Sequence, residues 1–286
     1  MTQGASVARA SNHGVPDYET YDFATTWKGR SVEDSAERRL VRLWAGEGGA
    51  ACIELGGGFG RITQDLERLF RRTFMLDYSR RNLLAASRKL RNTTLVRCGL
   101  ARLPFPESSF EFIALIRVMH HIPEPSRLLS EVARVGRNGG TFVMSVPNPF
   151  TGRLKRTGGA QGHVAWRGPQ GHVIFATRLE AYSNPGLELE EIRGVGLFDN
   201  RLGSKLERLS PLSAFDLLTS RLWPVKSQLF LRFSIRKEGS SKPNEPLVAC
   251  NCGGTIVDGR CRRCGRKYGA MIDLVEEGGA NLGQAK

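Results

Sequence analysis

The segment Cys52-Ile-Glu54-Leu-Gly56-Gly-Gly58-Phe-Gly60 constrains the fold of this 286-residue chain more than any other. An apolar run from Ala51 to Leu55 enters a turn built on alternate glycines, and an amphipathic stretch from Ile62 follows. Glycines there let the backbone turn sharply and let a ligand lie against it. Asp77 closes the next apolar run, 21 residues after Gly56. That spacing places a carboxylate at the carboxyl edge of a doubly wound sheet, where it can accept both hydroxyls of a ribose. A dinucleotide fingerprint, G-x-G-x-x-G, would require a third glycine at position 61, which is Arg61, and no phosphate-cradling G-x-x-x-x-G-K-[ST] run occurs. The pattern is E-x-G-x-G-x-G.

The rest of the chain keeps the alternation. Val32 to Trp44 is a helix by its apolar spacing and ends at the glycines from Gly46. Helices over Ile62–Phe70, Asn82–Leu90 and Ser126–Val135 are interleaved with strands over Ala51–Leu55, Thr73–Leu76, Thr94–Cys98, Phe110–Ile116 and, after a Gly139-Gly140 turn, Thr141–Val146. Strands separated by helices imply right-handed crossovers and a parallel sheet covered on both faces. Asn148 to Gly171, rich in Gly, Arg and Pro, reads as a loop. Two late strands, Leu187–Ile192 and Leu229–Ile235, flank a Leu-rich helical stretch from Leu202 to Leu222. The expected fold class is therefore α/β, a doubly wound, mostly parallel, seven-stranded sheet of the Rossmann-like kind with a small C-terminal zinc ribbon. The expected organisation is an N-terminal lid and helix (1–45), the sheet domain (46–238), a linker (239–246), a ribbon-like unit (247–278) and a tail (279–286).

Composition narrows the class of protein. No apolar run approaches the roughly 18 residues of a membrane span, and the first thirty residues carry acidic side chains where a secretory signal would be apolar. A cytoplasmic protein is the expectation. Lys and Arg total 42 against 28 Asp and Glu, a net charge of +14. Between Arg61 and Arg102 eleven basic residues face only Asp65, Glu67 and Asp77, which is either a polyanion-binding surface or a solvated basic face.

The six cysteines divide into two kinds. Cys52 and Cys98 sit alone in apolar runs and behave as small hydrophobes. Cys250-x-Cys252 and Cys261-x-x-Cys264 form two knuckles that can give four thiolates in tetrahedral geometry, and a segment this short needs a metal to fold. Metal-free or redox-active cysteines are the alternative.

The blocks Glu54-Leu-Gly-Gly-Gly58-Phe-Gly60, Leu76-Asp77-Tyr78-Ser79, Leu103-Pro-Phe-Pro-Glu-Ser-Ser-Phe110, Val118-Met-His-His121-Ile-Pro and Glu131-Val-Ala-Arg-Val135 resemble the class I S-adenosylmethionine-dependent methyltransferases, in the group that includes quinone-biosynthesis enzymes. The resemblance covers about residues 20–150. It implies that Glu54, Gly56, Gly58 and Gly60 hold the methionine end of S-adenosylmethionine, that Asp77 binds its ribose and that Tyr78 packs against its adenine. The family usually places an Asp four residues ahead of Leu103, where it reads the adenine amino group; position 99 is Gly99. The segment Cys261-Arg-Arg-Cys-Gly-Arg-Lys-Tyr268 looks like small zinc-ribbon proteins that partner or fuse with methyltransferases. Those carry C-x-x-C in both knuckles, and the first knuckle here is one residue short.

Methyl transfer from a sulfonium relies chiefly on alignment, worth up to roughly 7–11 kcal/mol, with a general base adding about 10²–10⁴-fold where the acceptor must lose a proton. His120 or His121 is the candidate base, unless one caps the following turn and the other packs on the sheet. Arg117 is the candidate anchor for an anionic acceptor. His163 and His172 flank a loop able to close over substrate. Tyr18, Tyr21 and Trp27 either cover the sulfonium or pack on the core. Three functions follow in order: a methyltransferase acting on a small or lipid-like acceptor, one acting on rRNA or tRNA through the basic face and ribbon, and a non-catalytic scaffold of the same fold.

Overall fold

The computed structural model describes residues 23–122, 124–148, 164–167, 173–176, 179–196, 211–239 and 242–275. In chain order the main elements are α1 (Ser31–Ala45), β1 (Gly49–Leu55), α2 (Thr63–Leu66), β2 (Phe70–Asp77), α3 (Arg80–Ser87), β3 (Thr93–Arg97), β4 (Phe110–Leu115), α4 (Pro125–Val135), β5 (Gly136–Pro147), β6 (Val164–Arg167), β7 (Val173–Ala176), β8 (Leu187–Val195), α5 (Pro211–Leu218), β9 (Gln228–Ile235), β10 (Val248–Ala249), β11 (Thr255–Val257), β12 (Arg260–Cys261) and β13 (Ile272–Asp273). Among these residues no helix is long and apolar enough to cross a membrane.

The main sheet runs β13-β3-β2-β1-β4-β5-β9-β8. Strands β1 to β5 and β13 are parallel, while β9 and β8 each pair antiparallel to their neighbour. Strand order therefore reverses between β1 and β4, and a crevice opens beyond their carboxyl ends, where α/β sheets bind ligands. Both faces are covered, so the central strands are mainly apolar: Ile53, Leu55, Met75, Leu76, Ile113 and Leu115 are all buried. Phe74, Phe105 and Phe110 pack edge to face at centroid separations of 4.9–5.5 Å.

The expected α/β sheet is present, with three local departures. The sheet has eight strands, because the C-terminal segment supplies β13. The helix expected over Ile62–Phe70 is only Thr63–Leu66, since Phe70 is drawn into β2 opposite Gly49 and stacks on Phe112. The loop expected over Asn148–Gly171 contains β6, which forms a hairpin with β7. Tyr18, Tyr21, His163 and His172 lie outside the described residues.

The docking of α1 rests on charge rather than on its apolar stripe alone. Val32, Ala36, Leu40 and Trp44 face the core as their spacing predicts and Val41 joins them, whereas Leu43, expected on the same stripe, is exposed; Glu37 lies on the core face and is fully buried. Its carboxylate is shared by Arg61, which directly follows the glycine turn, and Arg117, which follows β4. Glu33 also accepts from Arg117 and from Arg30 at 2.8 Å, and Asp34 from Arg61 at 2.9 Å. Three guanidinium groups lie over the Trp27 ring, with Arg61 at 3.7 Å from the ring centroid, Arg30 at 4.6 Å and Arg117 at 5.3 Å. Three carboxylates thus offset three guanidiniums where any one alone would be destabilising.

Burial by itself would raise the pKa of Glu33, but the Arg117 and Arg30 guanidiniums outweigh it and hold that carboxyl down to about 2, against an ordinary 4.5. A folded value below the unfolded one contributes stability that is complete above about 4.5 and is lost as the pH falls towards about 2. Trp27 fluorescence and proteolysis at Arg30 should therefore report release of the α1 network within that interval, and Glu33→Gln should remove the acid-dependent step.

Candidate functional site

The turn after β1 is fastened by the end of β2. Leu76 O accepts from the Gly56 amide at 2.7 Å and from the Gly57 amide at 3.1 Å, and the Gly58 amide donates to Asp77 Oδ2 at 2.8 Å. Three successive N–H groups therefore point at the carboxyl end of the neighbouring strand. Two of these glycines are required by their surroundings. A Cβ on Gly56, which has φ of +68°, would sit 2.4 Å from the Val118 side chain, and one on Gly57 would sit 2.4 Å from Met75. Gly58, with φ of +57°, instead faces open space. The turn is packed from behind and open in front, as a surface for a closely approaching ligand must be.

Asp77 is held by more than that turn. Its Oδ1 accepts from the Ser79 amide at 2.8 Å and from Asn82 Nδ2 at 3.3 Å, and the residue is only 8% exposed. Ser79 in turn caps α3 by accepting from the Asn82 amide. The carboxylate is thus oriented by donors from the glycine turn and from the start of α3. Tyr78 is half-buried beside it; the Arg97 guanidinium carbon lies 5.8 Å from the Tyr78 ring centroid, and Arg97 Nε donates to the Tyr78 carbonyl at 3.0 Å.

Glu54, the last polar residue before the turn, is buried and accepts from Thr63 Oγ1 of α2. Desolvation is the main cause that raises its pKa, to about 7, against the opposing Thr63 hydroxyl and the Arg61 charge. A carboxyl poised near neutrality at the root of the turn responds strongly to any cation brought beside it. Gly60, with φ of +81°, completes the turn by donating to the Gly57 carbonyl at 3.0 Å. A Cβ on Gly99, by contrast, would meet nothing within 4 Å, so the side chain the family usually has there is omitted where there is room for it.

The candidates after β4 separate. Val118 packs over Gly56, and a short 3-10 turn over Met119–His121 follows it in the chain. His120 is buried and His121 half-buried, with ring centroids 4.0 Å apart. The β6–β7 hairpin lies against this turn. Arg117 departs from the expected role. It takes φ of +63°, its amide donates to Ser145 Oγ at 2.8 Å, and its guanidinium turns into the Glu33 and Glu37 carboxylates. Those carboxylates raise its pKa against the cost of burial, so it clamps α1 rather than offering a charge to an anionic acceptor. Trp27 is likewise engaged by arginines.

Glu33, Glu37, Arg61, Thr63 and Arg97 were not singled out from the sequence. A signal existed for the first two: both fall on the apolar face of α1, where an acid implies a buried cation.

The four C-terminal cysteines come together. Their sulfurs lie within 4.8 Å of one another, with Cys250 to Cys264 at 3.8 Å and Cys252 to Cys261 at 3.5 Å. Tetrahedral zinc with bonds of about 2.3 Å needs sulfurs about 3.8 Å apart, so the donor set fits despite the short first knuckle. The Cys264 amide, joined by the Arg263 amide and opposed by desolvation, brings the Cys261 thiol down to about 6, which favours the thiolate a metal requires. Cys52 and Cys98 are buried as expected, and desolvation pushes the Cys52 thiol up to about 12.

With that geometry in hand, comparison with known proteins gives a consistent picture. Residues 53–144 match the Methyltransferase domain family, which spans the glycine turn, Asp77 and the histidine turn. A probable S-adenosylmethionine-dependent methyltransferase of Mycolicibacterium smegmatis is 29% identical over 114 residues, covering 40% of this chain and 43% of that protein. The match thus spans less than half the length of that curated relative. Among solved structures, an S-adenosylmethionine-dependent methyltransferase from Mesorhizobium loti superposes with a TM-score of 0.52 at 22% identity, over 71% of this chain and 99% of that one. A chain from the complex of the Haloferax volcanii Trm112 methyltransferase activator with a methyltransferase gives 0.53 at 17% identity, over 76% and 97%. At such identities these two show the fold. Residues 53–144 are thus similar to a methyltransferase domain, and the fold is the mixed α/β one of S-adenosylmethionine-dependent methyltransferases.

Proposed function

We propose that the whole chain is an S-adenosylmethionine-dependent methyltransferase with a small, apolar acceptor. The observation that carries this reading is the pairing of an open Gly58 with an oriented Asp77 at the carboxyl edge of the sheet. When bound, S-adenosylmethionine supplies an electrophilic methyl group for in-line displacement. Asp77 is the acceptor for its ribose hydroxyls, Tyr78 a platform for its adenine, and Glu54 the counter-charge for its ammonium. The glycine turn lets all three approach without side-chain obstruction. His120 and His121, which follow Val118 in the chain, are the candidates to hold or take a proton from an acceptor. Support for an apolar acceptor comes from the exposed apolar side chains Phe215 and Leu218 on α5 and Leu222 and Val225 in the connection to β9, a strand that begins at the carboxyl edge. Apolar side chains left in water favour an apolar ligand. A second reading, RNA as acceptor, draws on Arg260, Arg262, Arg263, Arg266 and Lys267, all exposed on the ribbon. A salt-dependent gel shift near the affinity of the methyl donor would favour it.

Calorimetric titration with S-adenosylmethionine tests the first reading. Asp77→Ala should weaken binding by about 10- to 100-fold, the worth of hydrogen bonds to a charged group. Affinity should rise with pH through about 7 as Glu54 ionises, and Glu54→Gln should flatten that rise. Absence of binding to the folded chain up to millimolar ligand would overturn the reading.

The four thiolates are proposed as a structural zinc site. Atomic absorption should give one zinc per chain after dialysis, and Cys261→Ser should lower both the metal content and the melting temperature. A metal-free chain of unchanged melting temperature would contradict the assignment.

A further inference from the structure

The C-terminal ribbon is not a separate body. Its small sheet, β10-β11-β12, and the adjoining Cys250 bury Val248, Cys250, Ile256 and Cys261 in the same apolar cluster as Phe74 and Val96 of the main sheet and Phe105 of the β3–β4 connection. The Ala249 amide donates to the Pro104 carbonyl at 2.8 Å, and Arg72 reaches Glu245. Beyond the second knuckle, β13 adds itself in parallel to β3, with Ile272 opposite Val96 and Asp273 opposite Arg97.

Arg97 is the residue on which these contacts converge. The Leu274 amide donates to its carbonyl at 2.9 Å, and its Nη1 donates to Asp273 Oδ2 at 3.1 Å. The same guanidinium donates through Nε to the Tyr78 carbonyl and lies near the Tyr78 ring. On the ribbon side, Asn251, which stands between the two cysteines of the first knuckle, donates to the Leu274 carbonyl at 3.0 Å. One continuous chain of hydrogen bonds therefore runs from the cysteine cluster, through β13 and Arg97, to the residue beside Asp77. Strand pairing places Arg97 directly opposite Asp77 as well.

We propose that Arg97 is a positioning residue through which the ribbon fixes Tyr78 and the cofactor edge, so that the docked ribbon sets the affinity of the domain for its nucleoside ligand. This rests on the reading of that edge as a cofactor site. The physical reason is the planar fork of Arg97: one arm is held by Asp273, which restricts the rotation of the other, and an oriented donor then fixes the Tyr78 peptide. Without Asp273 the side chain regains rotamer freedom and Tyr78 loses its support. Gly99, where a carboxylate would otherwise anchor the adenine, makes that support more consequential.

The test is calorimetric titration of the full, zinc-loaded chain with S-adenosylhomocysteine. Arg97→Ala and Asp273→Asn should each weaken binding by about tenfold, within the usual range of coupling between sites. Arg97→Lys, which keeps the charge but loses the fork, should not restore it. In a Tyr78→Ala background Asp273→Asn should add nothing further, a result that general destabilisation would not give. Asp273→Asn is a surface change of one atom, and its melting temperature confirms folding. Unchanged affinity in a folded Asp273→Asn chain, or full additivity with Tyr78→Ala, would overturn the proposal. Failure of the wild-type chain to bind would instead overturn the cofactor reading beneath it.

Discussion

The Asp77 carboxylate is the point on which the architecture of the site turns. One oxygen takes the amide of Gly58 from the turn after β1, and the other takes the amide of Ser79 at the start of α3. It therefore fixes the distance between two adjacent crossovers at the place where the sheet is widest open. A side chain held this way is almost fully buried yet has its carboxylate oriented by both neighbouring loops. The glycine turn depends on it in return, since Gly58 in its left-handed conformation donates its amide to Asp77 Oδ2.

Around this point the protein handles charge in two ways. Under α1 it balances three buried or half-buried guanidiniums against three carboxylates, and Arg61 and Arg117 extend from the two loops that frame the glycine turn. The helix is thereby tied to the same edge that Asp77 organises. At the opposite end of the sheet, Arg97 and Asp273 link the last strand to the ribbon. Burying such pairs contributes little net stability, but removing one partner leaves a charge without compensation. The arrangement defines geometry more than it adds free energy, which suits a site whose work is alignment.

Much of this was legible in the sequence because it is local. Glu54, the glycines and Asp77 are set by strand–turn–helix chemistry, and the cysteine pairs by ligand spacing. What escaped was tertiary. Arg117 carries the same residue type whether it binds an acceptor or clamps a helix, and only the burial of Glu37 decides between them. The eighth strand is two residues long and polar at one of them, too short for a period-two pattern to register. The helix after Ile62 is cut short by the pairing of Phe70 with Gly49, a contact that no propensity encodes. Glu33 and Glu37 did leave a trace, as acids on an apolar stripe.

The central claim is that a nucleoside-containing methyl donor lies on the open face of Gly58 against Asp77. It is tested most directly by following the glycine amides of the ¹⁵N-glycine-labelled chain by nuclear magnetic resonance during titration with S-adenosylhomocysteine. The account predicts that the largest saturable shifts fall on Gly58 and Gly60, and that these are lost in Asp77→Ala. Shifts absent from these two amides at saturating ligand, or centred elsewhere in the chain, would contradict it.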